Sequence, residues 1–358
     1  MKFLDAAGLA AIARALAETH EVYAPRRVKD RLVLARLLPL RSEADAKGAL
    51  EVGWNPFRLA EPLKGFWFPT ARVLARWTRE GPREGPSPVP RAIFGAKACD
   101  LKALAVVDKV LREHAYREPT YAAAREQNFV VAGDCSAHGD SCFCTMLGDR
   151  PWPEAGFDLS LSPAEGGYLV EAGSERGERL LSEHASRLRD ARPEEVEARA
   201  RLRAGVESAV RAQNRPYATR DPLQVSVEKN LKTRIWGKLA ATCVECGACN
   251  AVCPTCHCFL LHEVPTADGA IRERVWDQCF HAGYARMAGG GTPRLQLTER
   301  FKNHYYHKFV AFPRNWGVTA CSGCGRCVDA CMGRIDKREC LHRLETEWIP
   351  SEVMREVV

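Results

Sequence analysis

The run Cys243-Val-Glu-Cys-Gly-Ala-Cys-Asn-Ala-Val-Cys253-Pro254 is answered 78 residues later by Cys321-Ser-Gly-Cys-Gly-Arg-Cys-Val-Asp-Ala-Cys331. Both read C-x2-C-x2-C-x3-C. Three thiolates at this spacing can converge on three irons of one cubane, and the fourth, launched onto the following helix, reaches towards a neighbouring cluster. The motif therefore implies a crossed pair. Cys243, Cys246, Cys249 and Cys331 are expected to hold one 4Fe-4S cluster, and Cys321, Cys324, Cys327 and Cys253 the other. Gly247, Ala248, Gly323 and Gly325 are small enough to let backbone amides approach the sulfides. Zinc ribbons use two-cysteine knuckles rather than four-cysteine runs, which argues against structural zinc.

Around this motif the chain has 358 residues, enough for two or three domains, with 46% hydrophobic and 27% charged residues, an ordinary globular balance. Sixteen cysteines without a secretory signal suit a reducing compartment, so a cytoplasmic location is expected. Asp5, Arg14 and Glu18 interrupt any apolar leader, and Leu9, Ile12 and Leu16 share one face of what reads as a capped surface helix. No stretch is apolar enough to span a membrane. A net charge of +7 permits an acidic partner without demanding nucleic acid.

Taken in order, 28–40 reads as a strand or strand pair, and 50–70, with Trp54, Phe57, Phe66, Trp67 and Phe68, as an irregular aromatic layer on a sheet. Gly81 to Pro90 reads as an exposed loop. Two apolar strands, 91–96 and 128–133, flank a helix from Asp100, a capping residue, to about His114. This strand-helix-strand unit gathers ligand-binding groups after its strand ends, where Cys99 and Cys135 lie. A hairpin follows over 158–171, then a charged helix from Pro193, a linker at 216–222 and an amphipathic stretch over 226–240. The basic aromatic run Arg300 to Phe309 reads as a helix with its rings packed inward. A stacking platform for single-stranded nucleic acid is the competing reading. The fold class is α+β: a mixed α/β front domain over 1–222 and a mostly helical, ferredoxin-like dicluster domain over 223–358.

Lys97-Ala-Cys-Asp-Leu-Lys-Ala103, Cys135, Cys142-Phe-Cys144, the string Cys243 to Cys258, Trp276-Asp277 and the second motif together resemble the beta subunit of cytoplasmic sulfhydrogenases, bidirectional nickel-iron hydrogenases linked to NAD(P). They are also similar to the electron-input subunit of anaerobic sulfite reductase. The likeness covers about 90–345. It implies an electron-transfer subunit working between a flavoprotein partner that binds NAD(P) and a catalytic oxidoreductase partner, most naturally the hydrogenase, alternatively the sulfite reductase. Met332 stands where that family has proline, and Gly289-Gly290-Gly291 lacks the family's histidine-asparagine pair. Independently, no G-x-G-x-x-G, Walker A or H-E-x-x-H string is found, so no catalytic residue is assigned. A zinc-stabilised nucleic-acid binder is the alternative of another class.

Eight cysteines lie outside the two motifs. Cys99, Cys135, Cys142 and Cys144 make a candidate third 4Fe-4S site, with Asp100, Asp134 or Asp140 as substitute oxygen ligands. Against it stands a pair of buried strand-end cysteines beside a zinc or redox Cys-Phe-Cys site. Cys256, Cys258, Cys279 and Cys340 read either as small buried hydrophobes or, for the first three, as further metal ligands or a redox-active thiol.

Overall fold

The computed structural model describes residues 1–29, 31–37 and 55–347. Its strands, in chain order, are β1 (Lys2–Asp5), β2 (Glu21–Val28), β3 (Arg31–Arg36), β4 (Ala71–Thr78), β5 (Gly81–Glu84), β6 (Arg91–Ala96), β7 (Phe129–Gly133), β8 (Leu159–Ala164), β9 (Gly167–Ala172), β10 (Leu188–Asp190), β11 (Phe259–Thr266) and β12 (Gly269–Trp276). The chain divides into two compact units, Met1–Phe68 with Ser87–Ala212, and Pro69–Pro86 with Gln213–Val358.

The first unit is built on a mixed sheet in the order β10-β1-β9-β8-β7-β6-β2-β3. Its centre is parallel, β2 to β6 to β7 to β8, and every residue of β7 is buried. Parallel strands covered on both faces read as continuous apolar runs, which is why β6 and β7 are plain in the sequence. The first helix, α1 (Ala6–Ala17), is capped by Asp5, whose carboxylate accepts from the Gly8 amide at 2.7 Å. Leu9, Ile12 and Leu16 are buried as expected. Ala10, Ala11 and Ala13 are buried too, so α1 is a core helix rather than a surface one: its small residues let it lie close against its neighbours.

Between β6 and β7 run α2 (Ala98–Leu111) and a helix that the sequence pattern does not set apart, α3 (Pro119–Gln127). Asp100 serves α2 from inside its first turn, accepting from the Lys97 amide at 3.3 Å. The hairpin β8–β9 turns beside Gly166 with Ala164 opposite Gly167, and α4 (Glu175–Glu183) and α5 (Pro193–Asn214) follow. Trp67 and Phe68 are buried, and Phe66 packs edge-on to Tyr23 at 4.8 Å. Leu38 to Leu40 and Trp54 lie outside the described residues.

The second unit carries a four-stranded sheet, β11-β12-β4-β5. Two of its strands come from the front half of the sequence. Gly81–Glu84, expected as loop, is the edge strand β5, with Thr78 opposite Gly81 and Ala75 opposite Glu84. An edge tolerates Pro82 because no partner needs the missing N–H on the outer side. The stretch 226–240 is two helices, α6 (Leu223–Lys229) and α7 (Ile235–Ala240). Asn230 breaks them apart: its side-chain amide donates to Ser226 O at 2.8 Å, and its own carbonyl accepts from Trp236 Nε1 at 2.8 Å.

Four helices then frame the cysteine strings, α8 (Ala248–Ala251), α9 (Leu297–Tyr306), α10 (Phe312–Trp316) and α11 (Arg326–Asp329), before α12 (Lys337–Thr346). A π-turn, His307–Ala311, joins α9 to α10. Phe301, Tyr305 and Phe309 point inward, with Tyr305 5.2 Å from Phe301 and 5.5 Å from Trp236. The overall class is α+β, a mixed sheet region followed by a helix-rich dicluster region.

Candidate metal centres

The two cysteine strings fold alike. The first passes through Glu245 (φ 57°) and Gly247 (φ 70°), the second through Gly323 (φ 61°) and Gly325 (φ 74°). These left-handed residues curl each loop around its sulfurs before the one-turn helices α8 and α11. The Glu245 amide donates to Cys243 Sγ and the Gly323 amide to Cys321 Sγ. Amide-to-sulfur bonds of this kind stabilise a thiolate over a thiol. Glu245 is the non-glycine of the four, and Arg300 fixes it through an ion pair at 2.7 Å.

Across the strings, each fourth cysteine lies by the other string's triplet. Burial raises the Cys243 thiol against the pull of the Glu245 amide, and Cys331 and Cys246 beside it add to the rise. Burial drives Cys249 up to about 12, with Lys337 opposing and Cys331, Cys243 and Cys253 adding. In the second string burial holds Cys327 well above the usual thiol value, Lys337 opposing, with Cys324, Cys253 and Cys321 adding. Ile335 N donates to Cys331 Sγ at 3.3 Å. A cavity opens here, lined by Cys243, Cys249, Cys327 and Cys331 with Tyr305 and Lys337.

An all-sulfur donor set suits iron-sulfur chemistry, and a bound metal deprotonates a coordinating thiol outright. Among the described residues no three His, Cys, Asp or Glu side chains close on one point as a single ion requires. The thiols stand around a space instead, an arrangement that fits a polynuclear cluster.

Two buried ammonium groups face these sulfurs. Lys308 Nζ donates to Cys253 Sγ at 3.4 Å, Thr255 Oγ1 at 2.8 Å and Ala320 O at 3.0 Å. Burial works against its charge, but Cys253, Cys256 and Cys321 outweigh burial and hold its pKa well above the usual lysine value. Lys337 sits 4.1 Å over the Tyr305 ring. Arg300 gives its guanidinium to Phe280 O, Arg294 O and Glu245. These cations of the 300–309 run and its neighbourhood are turned inward, away from any phosphate backbone.

In the first unit Cys99 opens α2 just after β6, and Cys135 follows β7. Burial pushes the Cys135 thiol up to about 12, with Lys97 opposing and Cys142 adding. Cys144 is likewise pushed to about 12 by burial, then by Cys135 and Cys142. Lys97, fully buried, feels Cys135, Asp134 and Cys99 and donates to Asp134 O at 2.7 Å. Cys99 and Cys135 thus face one buried lysine, and Cys142 and Cys144 adjoin Cys135. The Asp134 carboxylate is engaged by Arg203, at 2.7 and 2.9 Å, rather than turned to the sulfurs. A cleft lined by Cys99, Lys102, Arg125 and Trp152 opens alongside.

Of the remaining cysteines, Cys340 is a core residue: burial lifts it to about 11, with the Tyr305 hydroxyl opposing. Cys256, Cys258 and Cys279 come together. Asn250 Nδ2 donates to Cys256 Sγ at 3.5 Å and Cys279 Sγ at 3.3 Å, and His304 Nδ1 lies 3.6 Å from Cys279 Sγ. Neither Asn250 nor His304 is marked by the sequence, where one follows a motif cysteine and the other sits among aromatics.

The profile of the 4Fe-4S dicluster domain matches residues 242–335, spanning both strings. Subunit beta of sulfhydrogenase 2 from Pyrococcus furiosus (strain ATCC 43587 / DSM 3638 / JCM 8422 / Vc1) is 30% identical over 245 residues, 68% of this chain and 71% of that protein. Among the described residues no helix is long and apolar enough to cross a membrane.

Proposed function

Because the chain belongs to the sulfhydrogenase beta-subunit family, we propose that it is the electron-transfer subunit of an oxidoreductase complex. It relays single electrons between a flavin/NAD(P) partner and a catalytic partner of nickel-iron hydrogenase type. Two 4Fe-4S clusters supply the one-electron steps when bound. The protein's part is to hold them, with Cys243, Cys246, Cys249 and Cys331 around one and Cys321, Cys324, Cys327 and Cys253 around the other. The observation that carries the reading is the neighbourhood across the strings, Cys331 beside Cys243 and Cys249, and Cys253 beside Cys321 and Cys327 as well as Cys249.

The surroundings suit a relay. Phe280, Phe301 and Tyr305 give the space between the strings an apolar wall. Lys308 and Lys337 bring positive charge to sulfurs that gain an electron's charge on reduction, which favours the reduced form. Cys246 is exposed whereas Cys321, Cys324 and Cys253 are buried, so the first cluster would meet a partner and the second would pass electrons inward. Cys99, Cys135, Cys142 and Cys144 extend the same chemistry as a third 4Fe-4S site in the first unit, with the buried Lys97 beside Cys99 and Cys135.

The test is electron donation to the purified, flavin-free chain. Dithionite is expected to reduce it, and NADPH only after the flavoprotein subunit is added. Rapid NADPH oxidation by the chain alone overturns the relay.

A further inference from the structure

The two cysteine strings share their turns but not the residues between their ligands. Glu245 and Gly323 occupy matching left-handed positions, as do Gly247 and Gly325. The residue just after the first cysteine is therefore placed alike in both loops, and there the sequence differs: Val244 in the first, Ser322 in the second. Val244 is 63% exposed, whereas Ser322 is 2% exposed. One loop shows water an apolar side chain, and the other buries a hydroxyl.

That hydroxyl is unsatisfied by the protein alone. Among the described residues Ser322 Oγ is sealed from solvent and has no hydrogen-bond partner. Buried polar groups are nearly always paired, because losing water without gaining a partner is unfavourable. Groups on either side of Ser322 are already engaged. The Gly323 amide donates to Cys321 Sγ, and Ala320 O accepts from Thr255 Oγ1 at 2.8 Å and from Lys308 Nζ at 3.0 Å. Cys321, Cys324 and Cys253, three of the four proposed ligands of the second cluster, are buried as well. A 4Fe-4S cluster held there brings bridging sulfides, acceptors that the chain itself does not supply. A serine hydroxyl can swing its proton about the Cβ–Oγ bond to meet one.

We propose that the Ser322 hydroxyl donates a hydrogen bond to a sulfur of the cluster held by Cys321, Cys324, Cys327 and Cys253, making this the higher-potential cluster of the pair. The inference rests on the relay reading and its ligand assignment. A donor to cluster sulfur favours the reduced form, whose negative charge is greater, and so raises the potential. Val244 offers no such donor to the first cluster. Lys308 adds its charge on the same side, at Cys253 and Cys321. Electrons entering at the exposed first cluster then run down to the buried second one, so one difference between two matching loops gives the relay its direction. Ser322 is a positioning residue and ligates nothing.

The experiment uses the full chain, reconstituted anaerobically with iron and sulfide and titrated under electron paramagnetic resonance. The signal lost in Cys327→Ser marks the second cluster. Ser322→Val and Ser322→Thr are close in size and differ by the hydroxyl. With valine the second cluster is expected to bind its electron about tenfold less tightly, a fall of about 59 mV for a one-electron couple, with the first cluster unmoved and the iron content of wild type. Threonine should hold the wild-type potential. Electron-nuclear double resonance should show an exchangeable proton at the second cluster that is present with serine and threonine and missing with valine. Equal potentials in all three proteins overturn the proposal and leave a trapped water as the partner of Ser322. A shift common to valine and threonine also overturns it, as an effect of packing, and so does a second cluster lying at or below the first in the wild type. If valine prevents cluster assembly, the smaller Ser322→Ala carries the same expectation. The relay reading is judged by NADPH oxidation and stands or falls apart from these potentials.

Discussion

Lys308 Nζ donates to Cys253 Sγ at 3.4 Å from a side chain only 3% exposed. A full charge so close to a proposed ligand sulfur is screened little by solvent. Replacing it with an uncharged residue of similar length, Lys308→Met, is expected to lower the potential of the cluster held by Cys321, Cys324 and Cys327. The shift is on the order of 100 mV, from Coulomb's law at an effective dielectric near 20. A redox titration followed by paramagnetic resonance reads it, and an unshifted potential would show that Lys308 is only a structural tie.

The crossed neighbourhood predicts which cluster fails when a fourth cysteine is removed. Cys253→Ser should disturb the cluster of Cys321, Cys324 and Cys327, and Cys331→Ser that of Cys243, Cys246 and Cys249. Mössbauer spectra of the two variants distinguish the sites. Damage confined to the cluster nearer in sequence refutes the crossing.

In the first unit, Cys142→Ala/Cys144→Ala in the full chain is expected to remove about four iron without altering the dicluster signals. Iron equal to wild type, with the double variant still folded, would return Cys99 and Cys135 to the role of buried strand-end residues.

Asp134 tests the scaffold. Its carboxylate is fully buried between Arg203, in bidentate contact, and Arg199 at 3.8 Å. Asp134→Ala takes from Arg203 its bidentate carboxylate, while Arg199 keeps Glu171 at 2.6 Å, and should cost about 3–5 kcal/mol in denaturant unfolding. Glu197→Ala breaks the exposed pair with Arg201 and should cost under about 0.5 kcal/mol. Similar costs for the two would show that burial does not set the strength of the Asp134 pair.

The parts legible in the sequence were those written in local spacing. The C-x2-C-x2-C-x3-C strings announce their chemistry because cubane ligation needs that repeat. β6 and β7 show as apolar runs, and Gly166 marks its turn. What escaped depended on partners far along the chain or on single side chains. Nothing in 81–90 says that Gly81–Glu84 will find β4, nor that β4 will find β12. Asn230 interrupts an otherwise good amphipathic pattern through one side-chain amide. His304 carries no spacing signature, and its place beside Cys279 exists only once α9 folds against the segment that follows the hairpin.

The pairing of β4 with β12 also governs the order in which the protein can be completed during synthesis. In that ladder 204 positions separate Ala71 from its partner Val275. The ribosome therefore releases the 69–86 hairpin long before the strand it joins exists. In that interval its backbone donors and acceptors are an open edge, the kind that captures stray strands. A gene fragment begun at the start of the C-terminal segment has the converse defect: β12 would keep β11 on one side and present a bare edge on the other. Expressing the cluster-bearing half in isolation thus calls for residues 69–86 to travel with it, fused or supplied as a peptide.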